Sequence, residues 1–587
     1  MMLRKKLISL LAVMALAMGM LAGCGEKAAD AGNEGAGTED TGLTSLEVAK
    51  LMGNGINLGN TMEAYGRGAY GTDADPYFYE TYWGCPETTQ EMITGMKAAG
   101  FDSIRIPVAW TNAMDYETGD YTIKTAYLDR VAEIVDYAIN EDMYVIVNDH
   151  WDGGWWGMFG SATEETRKAA MDLYTSMWTQ IGTRFADYDH HLIFESANEE
   201  LCTRLNDTDV AKDSGILSRE DCYVVTNQIN QAFVDTIRGL GGNNAHRFLL
   251  IAGFGTNIAD TCDEQFVMPT DTAKDKLLIS VHFYDPSGYC IWGSVDSWGS
   301  KKEVEEMNAT LSLMTKFTEQ GYAVVIGEYG VLIETTNETR PNTMEYLTNF
   351  LANCDTYGYV PMLWDCSNMY NRNTCKIIDD EVAALYLAHS YAQQSALTDE
   401  QILANAKADM DTVLANAPEE AGAKEDEAIA WIMYTSSDWG VSYSVGDVYA
   451  PDSKTGGLVA TDAVITGEGT YTVALDFTGT GAGFANGVTF SAVGISNGEY
   501  LYPGYCIELK EVKINGEVVT PKNRAYTTSD DGKCTRLNLY NEWVTAIPKE
   551  ARTASGNVMY VSPTLFDKET FGEVKTLEVT FKYVPGK

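Results

Sequence analysis

The 587-residue sequence is short of cysteine and of basic residues, and each shortage excludes a class of protein. Eleven cysteines over this length are too few for a disulfide-dense scaffold of the kind that small secreted domains use in place of a large core. The 41 basic residues are outnumbered by 84 acidic ones, which gives a formal net charge of −43. A basic surface broad enough for nucleic acid would be hard to assemble from this surplus of acid, so we expect no nucleic-acid partner.

Three sequence patterns are also missing. No apolar run of about 18 or more residues follows residue 24, so we predict no membrane-spanning helix in the mature chain. No glycine-rich phosphate loop follows any predicted strand, which argues against a nucleotide-binding sheet. No His-x-x-x-His spacing indicates a metal site, and we predict neither a metal nor a cofactor.

The N-terminal segment has the pattern of an export signal. Arg4, Lys5 and Lys6 precede an apolar run from Leu7 to Leu21, the order of a charged region followed by a hydrophobic one. The run ends in Leu-Ala-Gly-Cys at residues 21–24, which resembles the bacterial lipobox. We predict a lipoprotein signal peptide at 1–24, lipidated at Cys24, and a flexible acidic tether at 25–45. An ordinary signal peptide is the alternative. The protein is expected at the outer face of the bacterial cell membrane, touching it only through the lipid, or free in the extracellular space.

Residues 46–395 alternate short apolar strands with helix-like stretches, which is typical of parallel βα units. Eight such units predict an α/β fold, a (β/α)8 barrel, whose chemistry lies at the carboxyl ends of its strands. A doubly wound sheet is the alternative, but the missing phosphate loop disfavours it. The predicted strands span residues 53–58, 103–108, 144–148, 192–195, 248–252, 277–281, 323–326 and 360–363.

The rest of the chain differs from the barrel. Residues 396–427 are predicted to be a linker with one short amphipathic helix. Residues 428–587 alternate strands with Gly, Asn and Asp turns, which predicts an all-β sandwich. This domain is interpreted either as a carbohydrate-binding module or as a brace for the barrel. Its candidate aromatic platforms are Trp439, Tyr443, Tyr500, Tyr502, Tyr505 and Trp543.

Polar and aromatic residues follow successive predicted barrel strands at the point where each strand ends. A barrel would bring these residues into one bowl, although they are distant in sequence. Taken singly, each has a structural explanation, but their repetition at the same end of successive strands favours a catalytic site. The residues are Arg105, His150, Asn198, Glu199, His282, Tyr284, Glu328 and Trp364.

With these motifs, residues 46–393 resemble glycoside hydrolases of family 5, and the Gly-Ile-Asn-Leu-Gly-Asn-Thr segment at 55–61 resembles endoglucanases of that family. The resemblance implies that Glu199 is the acid/base and Glu328 the nucleophile. Arg105, His150, His282, Tyr284 and Trp364 match the remaining active-site positions. Two positions depart from the family's pattern, because Glu200 stands where proline is common and Trp151 where a second histidine is common.

Retaining hydrolysis requires two carboxyls about 5 Å apart with different pKa values. We expect Arg105 and Tyr284 to hold Glu328 ionised, and the charge of Glu328 to raise the pKa of Glu199. Asn198 is expected to hydrogen-bond the sugar 2-hydroxyl, while Trp364 supplies a floor under the sugar.

Tryptophans in the loops after the strands suggest stacking surfaces for a glucan chain, and we predict that Trp155 and Trp156 bind substrate in this way. The same role is considered for Trp83, Trp292 and Trp298. Together these features predict a monomeric, metal-independent endo-β-1,4-glucanase acting on β-glucan polysaccharide. A β-mannanase or xyloglucanase on the same scaffold is one alternative, and a non-catalytic glycan-binding surface lipoprotein is another.

Overall fold

The computed structural model describes residues 40–293, 295, 297–333, 338–418, 427–445, 451–529, 533–544 and 546–587. The predicted signal peptide, Cys24 and most of the predicted tether therefore lie outside the described residues, as does 419–426 of the predicted linker. Within the described ranges, no helix combines the length and the apolar character needed to cross a lipid bilayer.

Eight parallel strands form a closed barrel in which neighbours in sequence are neighbours in space and the last strand pairs with the first. This confirms the predicted (β/α)8 fold. The strands are buried along their whole length, which is why most of them are short, mainly apolar runs. They are β1 Gly55–Asn57, β2 Ser103–Ile106, β3 Tyr144–Asn148, β4 Leu192–Glu195, β5 Leu249–Ala252, β6 Leu277–Phe283, β7 Ala323–Tyr329 and β8 Val360–Leu363.

Helices surround the strands, and the longer ones bury one face against the barrel. The helix after β2, for example, buries Tyr127, Val131, Ile134 and Val135, which recur at helical spacing on one face. The helices are α1 Ser45–Met52, α2 Arg67–Tyr70, α3 Pro76–Glu80, α4 Gln90–Ala98, α5 Thr125–Ile139, α6 Glu164–Arg184, α7 Arg219–Gly239, α8 Ile258–Thr261, α9 Lys301–Ser312, α10 Thr315–Thr318, α11 Thr343–Tyr357, α12 Asp380–Ala388 and α13 Tyr391–Gln394.

The amino end of the barrel is closed by α1. Val48 and Met52 of this helix share an apolar cluster with Ile146, Leu250 and Val325, which point into the barrel from three strands. Because this end is filled with apolar side chains, polar chemistry is confined to the carboxyl end.

A further helix, α14 Asp399–Asn416, occupies the segment predicted to be a linker and is 18 residues long. Val413 is buried in the main apolar cluster of the barrel. Thr356 of α11 also lies 3.8 Å from the sulfur of Met410. The packed body that contains the barrel therefore continues through α14.

The C-terminal region consists of antiparallel sheets. One sheet has the spatial order Pro451–Lys454, Ser442–Val445, Ala428–Thr435, Phe490–Ser496 and Thr535–Asn541, with Ala463–Ile465 also paired to Ala428–Thr435. The other has the order Val459–Thr461, Gly469–Asp476, Thr576–Pro585, Tyr505–Ile514 and Glu517–Val519. Leu537 and Val493 of the first sheet share one core with Leu475 and Val579 of the second, so this region is the predicted β-sandwich. With the hairpin β9 Tyr370–Asn371 and β10 Lys376–Ile377, the remaining elements are β11 Ala428–Thr435, β12 Ser442–Val445, β13 Pro451–Lys454, β14 Val459–Thr461, β15 Ala463–Ile465, β16 Gly469–Asp476, β17 Ala485–Asn486, β18 Phe490–Ser496, α15 Gly498–Leu501, β19 Tyr505–Ile514, β20 Glu517–Val519, β21 Thr535–Asn541, β22 Glu573–Val574 and β23 Thr576–Pro585.

Candidate active site

The polar residues predicted at the strand ends lie together at the carboxyl end of the barrel. Strand β2 carries Arg105, β6 carries His282 and β7 carries Glu328. Asn198 and Glu199 follow β4. Contacts between 2.9 and 3.6 Å link these side chains to one another, so the barrel does assemble them.

Arg105 is the centre of the polar network and is completely buried. Its Nε donates to Glu195 at 2.7 Å, and its Nη1 donates to Glu328 at 2.9 Å and to Asn57 at 3.0 Å. Its Nη2 donates to Oδ1 of Asn198 at 2.9 Å. Since a guanidinium only donates, the Asn198 amide must turn its oxygen toward Arg105, and its NH₂ group is left for a ligand.

A deeper layer holds Arg105 in place. Glu195 accepts a second hydrogen bond from Ser280 Oγ at 2.7 Å and so acts as a structural partner of Arg105. Asn57 donates to the backbone carbonyl of Gly327 at 2.9 Å. No sequence pattern pointed to Ser280, because a serine inside a strand is not distinctive. Asn57 was visible only as part of the 55–61 segment.

A register shift at Gly327 sets the direction of the Glu328 side chain. Ile326 pairs with Val281 and Glu328 pairs with His282, so Gly327 is the extra residue of a bulge in β7. Along β7, Val325 faces the barrel interior and Ile326 the helices, and strict alternation would send Glu328 outward with Ile326. The extra residue in the bulge inverts this alternation, so the Glu328 side chain points into the barrel beside His282. A Cβ at position 327 would lie 2.8 Å from Ser280 Oγ and 3.2 Å from His282 Nε2, which favours glycine there.

Glu199 and Glu328 face each other across His282. The His282 Nδ1 lies 3.0 Å from Glu199 Oε1 and 3.6 Å from Glu328 Oε2. One carboxylate oxygen of each glutamate and a His282 ring nitrogen all lie within 4.8 Å of one another. This spacing suits a pair of carboxyls of which one attacks a sugar and the other protonates the leaving group.

The pKa shifts of these two carboxyls run opposite to the expectation. Burial raises the pKa of Glu328, and the attraction of His282 and Arg105 only partly offsets it. Burial also raises the pKa of Glu199, but its hydrogen bond with His282 and the charges of His282, Arg204 and Arg105 outweigh burial, so its pKa is lowered. Burial lowers the pKa of His282, yet Glu328 and Glu199 reverse this and raise it. The three groups therefore titrate together, and the His282–Glu199 hydrogen bond is what sets the two carboxyls apart.

Tyr284, His150 and Trp364 complete the group. The Tyr284 hydroxyl donates to Glu328 Oε2 at 3.1 Å. The His150 ring is stacked on Trp364 with centroids 6.0 Å apart and an interplanar angle of 12°. Burial, with the charges of Arg105 and His282, holds the pKa of His150 well below its usual value. His150 is therefore neutral and can accept or donate a hydrogen bond without adding charge.

Comparison with known proteins identifies the family. The cellulase family, glycosyl hydrolase family 5, matches residues 68–370, which is more than half of the chain.

The chain belongs to the cellulase family, glycosyl hydrolase family 5.

It is a glycoside hydrolase of the endoglucanase-like type. A xyloglucan-specific endo-β-1,4-glucanase of Bacteroides ovatus is 33% identical over 357 residues, covering 57% of this chain and 67% of its own. Endoglucanase A of Paenibacillus barcinonensis is 34% identical over 354 residues, covering 55% of this chain and 82% of its own. Among solved structures, a GH5-4 broad specificity endoglucanase from Ruminococcus champanellensis with bound cellotriose is similar with a TM-score of 0.52 and 30% identity. It covers 60% of this chain and 99% of its own.

The prediction that Trp155 and Trp156 stack on substrate in this cellulase-family protein is wrong. They are 0% and 1% exposed, respectively, and lie in the 3₁₀ segment Asp152–Gly160. Their rings stack on each other at 4.4 Å and pack against Phe159 and Tyr174. Both rings are buried against α6, which carries Tyr174, and present no face to a sugar.

The other three loop tryptophans considered for stacking differ in their exposure to solvent. Trp298 is buried against Tyr346 with ring centroids 5.1 Å apart. Trp83 and Trp292 are exposed, at 42% and 73%. Only the latter two of the predicted row have a face available to a ligand.

Three buried acids lie next to the site and were not predicted as a group. Asp149, Asp152 and Glu200 are each at most 1% exposed. Burial raises the pKa of Asp152 to about 6 and that of Glu200 to about 8. Burial and the neighbouring Asp152 raise the pKa of Asp149 well above its usual value. Glu200 has Arg204 Nη1 3.2 Å from its Oε1. Glu200 is therefore a buried acid beside Arg204, and not a surface one.

Two groups of side chains in the described part of the chain have the composition of metal ligands. They are Asp189 with His190 and His191, and Glu199 with His282 and Glu328. In the second group, Glu328 already accepts from Arg105 and Tyr284. A divalent cation there would compete with a buried guanidinium 2.9 Å from the same carboxylate. Metal-independent hydrolysis stays a prediction, and the ionic partners of Glu328 favour it.

Proposed function

We propose that the protein is a retaining endo-β-1,4-glucanase that cleaves internal bonds of cellulose or related β-glucans by double displacement. The observation that carries the proposal is the pairing of Glu199 and Glu328 around His282, with one carboxylate oxygen of each within 4.8 Å. Retaining enzymes place their two carboxyl groups about 5–5.5 Å apart, whereas inverting enzymes need about 6.5–9.5 Å to admit a water molecule. The family membership supports the same reaction class.

In the first step Glu328 attacks the anomeric carbon while the glycosidic oxygen leaves with a proton from Glu199. Arg105 and Tyr284 each donate to a different Glu328 oxygen and thereby favour its ionised form. The Glu199 side chain is 40% exposed in the free protein. A sugar chain laid over it removes that contact with water and favours the neutral carboxyl. The proton shared with His282 then passes to Glu199, ready for the leaving group.

In the second step a water molecule releases the sugar. Formation of the glycosyl ester removes the negative charge of Glu328, so Glu199 can lose its proton and accept one from the attacking water. The water oxygen bonds to the anomeric carbon, and Glu328 leaves as a carboxylate. The Asn198 NH₂ group, oriented by Arg105, is placed to hydrogen-bond the sugar 2-hydroxyl. Trp364, stacked on His150, provides an aromatic face beneath the sugar.

The choice of polymer is the second part of the proposal. One relative is named a xyloglucan-specific endo-β-1,4-glucanase and another a broad specificity endoglucanase. We therefore expect activity on linear β-1,4-glucans together with xyloglucan. Initial rates on carboxymethyl-cellulose, xyloglucan, lichenan, mannan and xylan, measured side by side, test this. Mannan as the best substrate would overturn it.

The Glu328→Gln variant tests the chemistry. Because the amide cannot form the glycosyl ester, we expect kcat to fall by about 10³-fold or more while binding of soluble β-glucan persists. Glu305→Gln, an equivalent change at an exposed position on α9, is the matched control and should keep wild-type rates. Wild-type hydrolysis by the Glu328 variant would show that another residue is the nucleophile. Polymer binding without any hydrolysis by the wild-type chain would favour a non-catalytic glycan-binding protein.

We also propose that the chain is exported, carries a lipid on Cys24 and acts as a monomer at the outer face of the cell membrane. The support is the sequence itself: three basic residues, an apolar run and the Leu-Ala-Gly-Cys ending. In this arrangement the acidic segment that follows holds the barrel away from the membrane surface. The C-terminal sandwich is proposed to bind the same polysaccharide that the barrel cleaves.

A further inference from the structure

Two tryptophans and a phenylalanine gather at one end of the six-stranded sheet of the C-terminal domain. Trp439 lies in the turn that follows β11, Phe490 begins β18 and Trp543 follows β21. Phe490 pairs with Thr435 of β11 and with Asn541 of β21, so three adjacent strands bring the rings together. The Trp543 ring centroid is 6.1 Å from that of Trp439 and 6.2 Å from that of Phe490.

The tryptophans of this cluster face solvent. Trp439 is 67% exposed and Trp543 is 56% exposed, although large aromatic side chains are normally the first to be buried. The third tryptophan of the domain, Trp431, is only 3% exposed and donates to Ser496. The domain can therefore bury a tryptophan, and the two in the cluster are outside its core.

The turns that carry the rings are fixed by local hydrogen bonds. Asp438 accepts from Ser436 Oγ at 2.7 Å, from the Gly440 N–H at 3.1 Å and from Asn486 at 3.2 Å. Trp439 itself has a φ of 58°, a conformation that bulky residues rarely adopt. These contacts hold the ring in place before any ligand arrives, which lowers the entropy lost on binding.

The end of β21 is fixed in a similar way. Asn541 Oδ1 accepts from the Trp543 N–H at 3.0 Å, and the exposed pair Glu542 and Lys568 lies next to it at 3.0 Å. Exposed polar groups therefore border the rings on both sides, with Asp438 and Asn486 near Trp439 and this ion pair near Trp543.

We infer that Trp439, Trp543 and Phe490 form a binding platform for a β-glucan chain, a site outside the catalytic barrel. The inference rests on the proposed function for the identity of the polymer. A pyranose ring offers an apolar C–H face that stacks on an indole and hydroxyls at its rim that bond to carboxylates, amides and ammonium groups. A neutral glycan also meets no repulsion from a chain of net charge −43, whereas an anionic polymer would.

The area of the platform argues against a protein partner. An aromatic side chain buries about 150–250 Å² when fully covered, and the most exposed ring here is 67% exposed. The three rings together supply less than the roughly 800 Å² per partner that a specific protein interface buries. Sugar chains need only a few stacked rings, because the same platform can engage repeated units of a polymer.

The test compares two variants of the full chain. Trp439→Ala with Trp543→Ala removes the platform. Tyr500→Ala removes a single aromatic of similar exposure, 65%, on α15, which follows the opposite end of β18 from Phe490. Retention is measured by depletion onto insoluble cellulose and by affinity electrophoresis in xyloglucan. Activity is measured separately on a soluble aryl β-cellobioside, which is too short to reach the platform.

We expect the double variant to lose polymer retention by about tenfold or more, with unchanged kcat/KM on the aryl glycoside. The Tyr500 variant should match the wild-type chain in both assays. Equal retention by the wild-type chain, the double variant and the Tyr500 variant would overturn the proposal that these rings bind polymer. A wild-type dimer in sedimentation that the double variant converts to monomer would also overturn it, in favour of self-association. Failure of the proposed function is seen separately, as absence of hydrolysis of any β-glucan by the wild-type chain.

Discussion

The carboxyl end of the barrel and the aromatic end of the C-terminal sandwich hold their functional groups in opposite ways. In the barrel, Arg105 and Glu328 are buried and share a network with Glu195. In the sandwich, Trp439 and Trp543 are exposed and depend on hydrogen bonds within their own turns. Chemistry on a glycosidic bond needs charges shielded from water, which only packing from many strands can supply. Stacking on a sugar needs the reverse, an uncovered ring on a rigid support.

Two consequences follow from this difference. In the barrel, each group depends on its partners, so single substitutions should affect stability and rate together. In the sandwich, the rings contribute little to folding, so substitutions should affect binding alone. Three experiments test this contrast.

Arg105→Met should have the largest effect. It leaves Glu195 and Glu328 buried without their shared cation, which we expect to lower the free energy of unfolding by about 3–5 kcal/mol. It should also lower kcat by about 10²–10³-fold, measured on the fraction that remains folded. Denaturant titration and soluble-substrate kinetics provide the two measurements.

Arg247→Met is the matched control for Arg105, because Arg247 is 2% exposed and lies before β5, at the amino end of the barrel. Its guanidinium donates to backbone carbonyls of Phe185, Tyr188 and Leu192. This variant should lose stability but keep the kcat of the folded enzyme. Equal loss of kcat in both variants would contradict a specific role for Arg105 at the site.

The same truncation, tryptophan to alanine, can be made in both regions, at Trp155 in the barrel and at Trp439 in the sandwich. Removing the buried Trp155 ring should cost about 3–5 kcal/mol of unfolding free energy, because it leaves a cavity beside Trp156 and Tyr174. Removing the exposed Trp439 ring should change that free energy by less than about 0.5 kcal/mol. Thermal and urea unfolding measure both. If Trp155→Ala leaves the unfolding free energy unchanged and raises KM for polymers, Trp155 stacks on substrate, which its burial contradicts.

Glu200→Gln should have the smallest effect, and one that depends on pH. Burial raises the pKa of Glu200 to about 8, opposed by the charge of Arg204 and assisted by those of Glu199 and Glu328. Since the unfolded chain ionises near pH 4.3, the folded protein retains a proton that the unfolded chain releases. The stability linked to this proton is fully present below about pH 4 and is lost as pH rises through about 8.

We therefore expect Glu200→Gln to resemble the wild-type chain near pH 5 and to exceed its unfolding free energy near pH 9, by no more than the roughly 5 kcal/mol to which a pKa shift from 4.3 to about 8 corresponds. Urea midpoints at a series of pH values measure this, with the exposed Glu305→Gln as the control of equal charge. Parallel stability curves for wild type and Glu200→Gln would mean that Glu200 is ionised throughout.

The sequence determined the fold and the chemical groups of the barrel. The bounds of β3, β4 and β8 match the predicted strands because each is a short apolar run, which ends in Asn148 in β3, ends in Glu195 in β4 and is followed by Trp364 in β8. Placing Glu199 and Glu328 at one end followed from topology alone, since parallel strands present their carboxyl ends on one side. The two exposed tryptophans of the sandwich were also visible as candidates, among six aromatics.

The use of these groups depends on the tertiary structure. The bulge at Gly327 turns Glu328 inward, His282 reverses the expected order of the two carboxyl pKa values, and the 3₁₀ segment buries Trp155 and Trp156. Among the aromatic candidates of the sandwich, Trp439 and Trp543 are exposed, whereas Tyr443 is 2% exposed and lies in the core. Each of these depends on which residues from distant parts of the chain surround a side chain. Burial, pKa and ring exposure are properties of that environment, and residue type and spacing do not fix them.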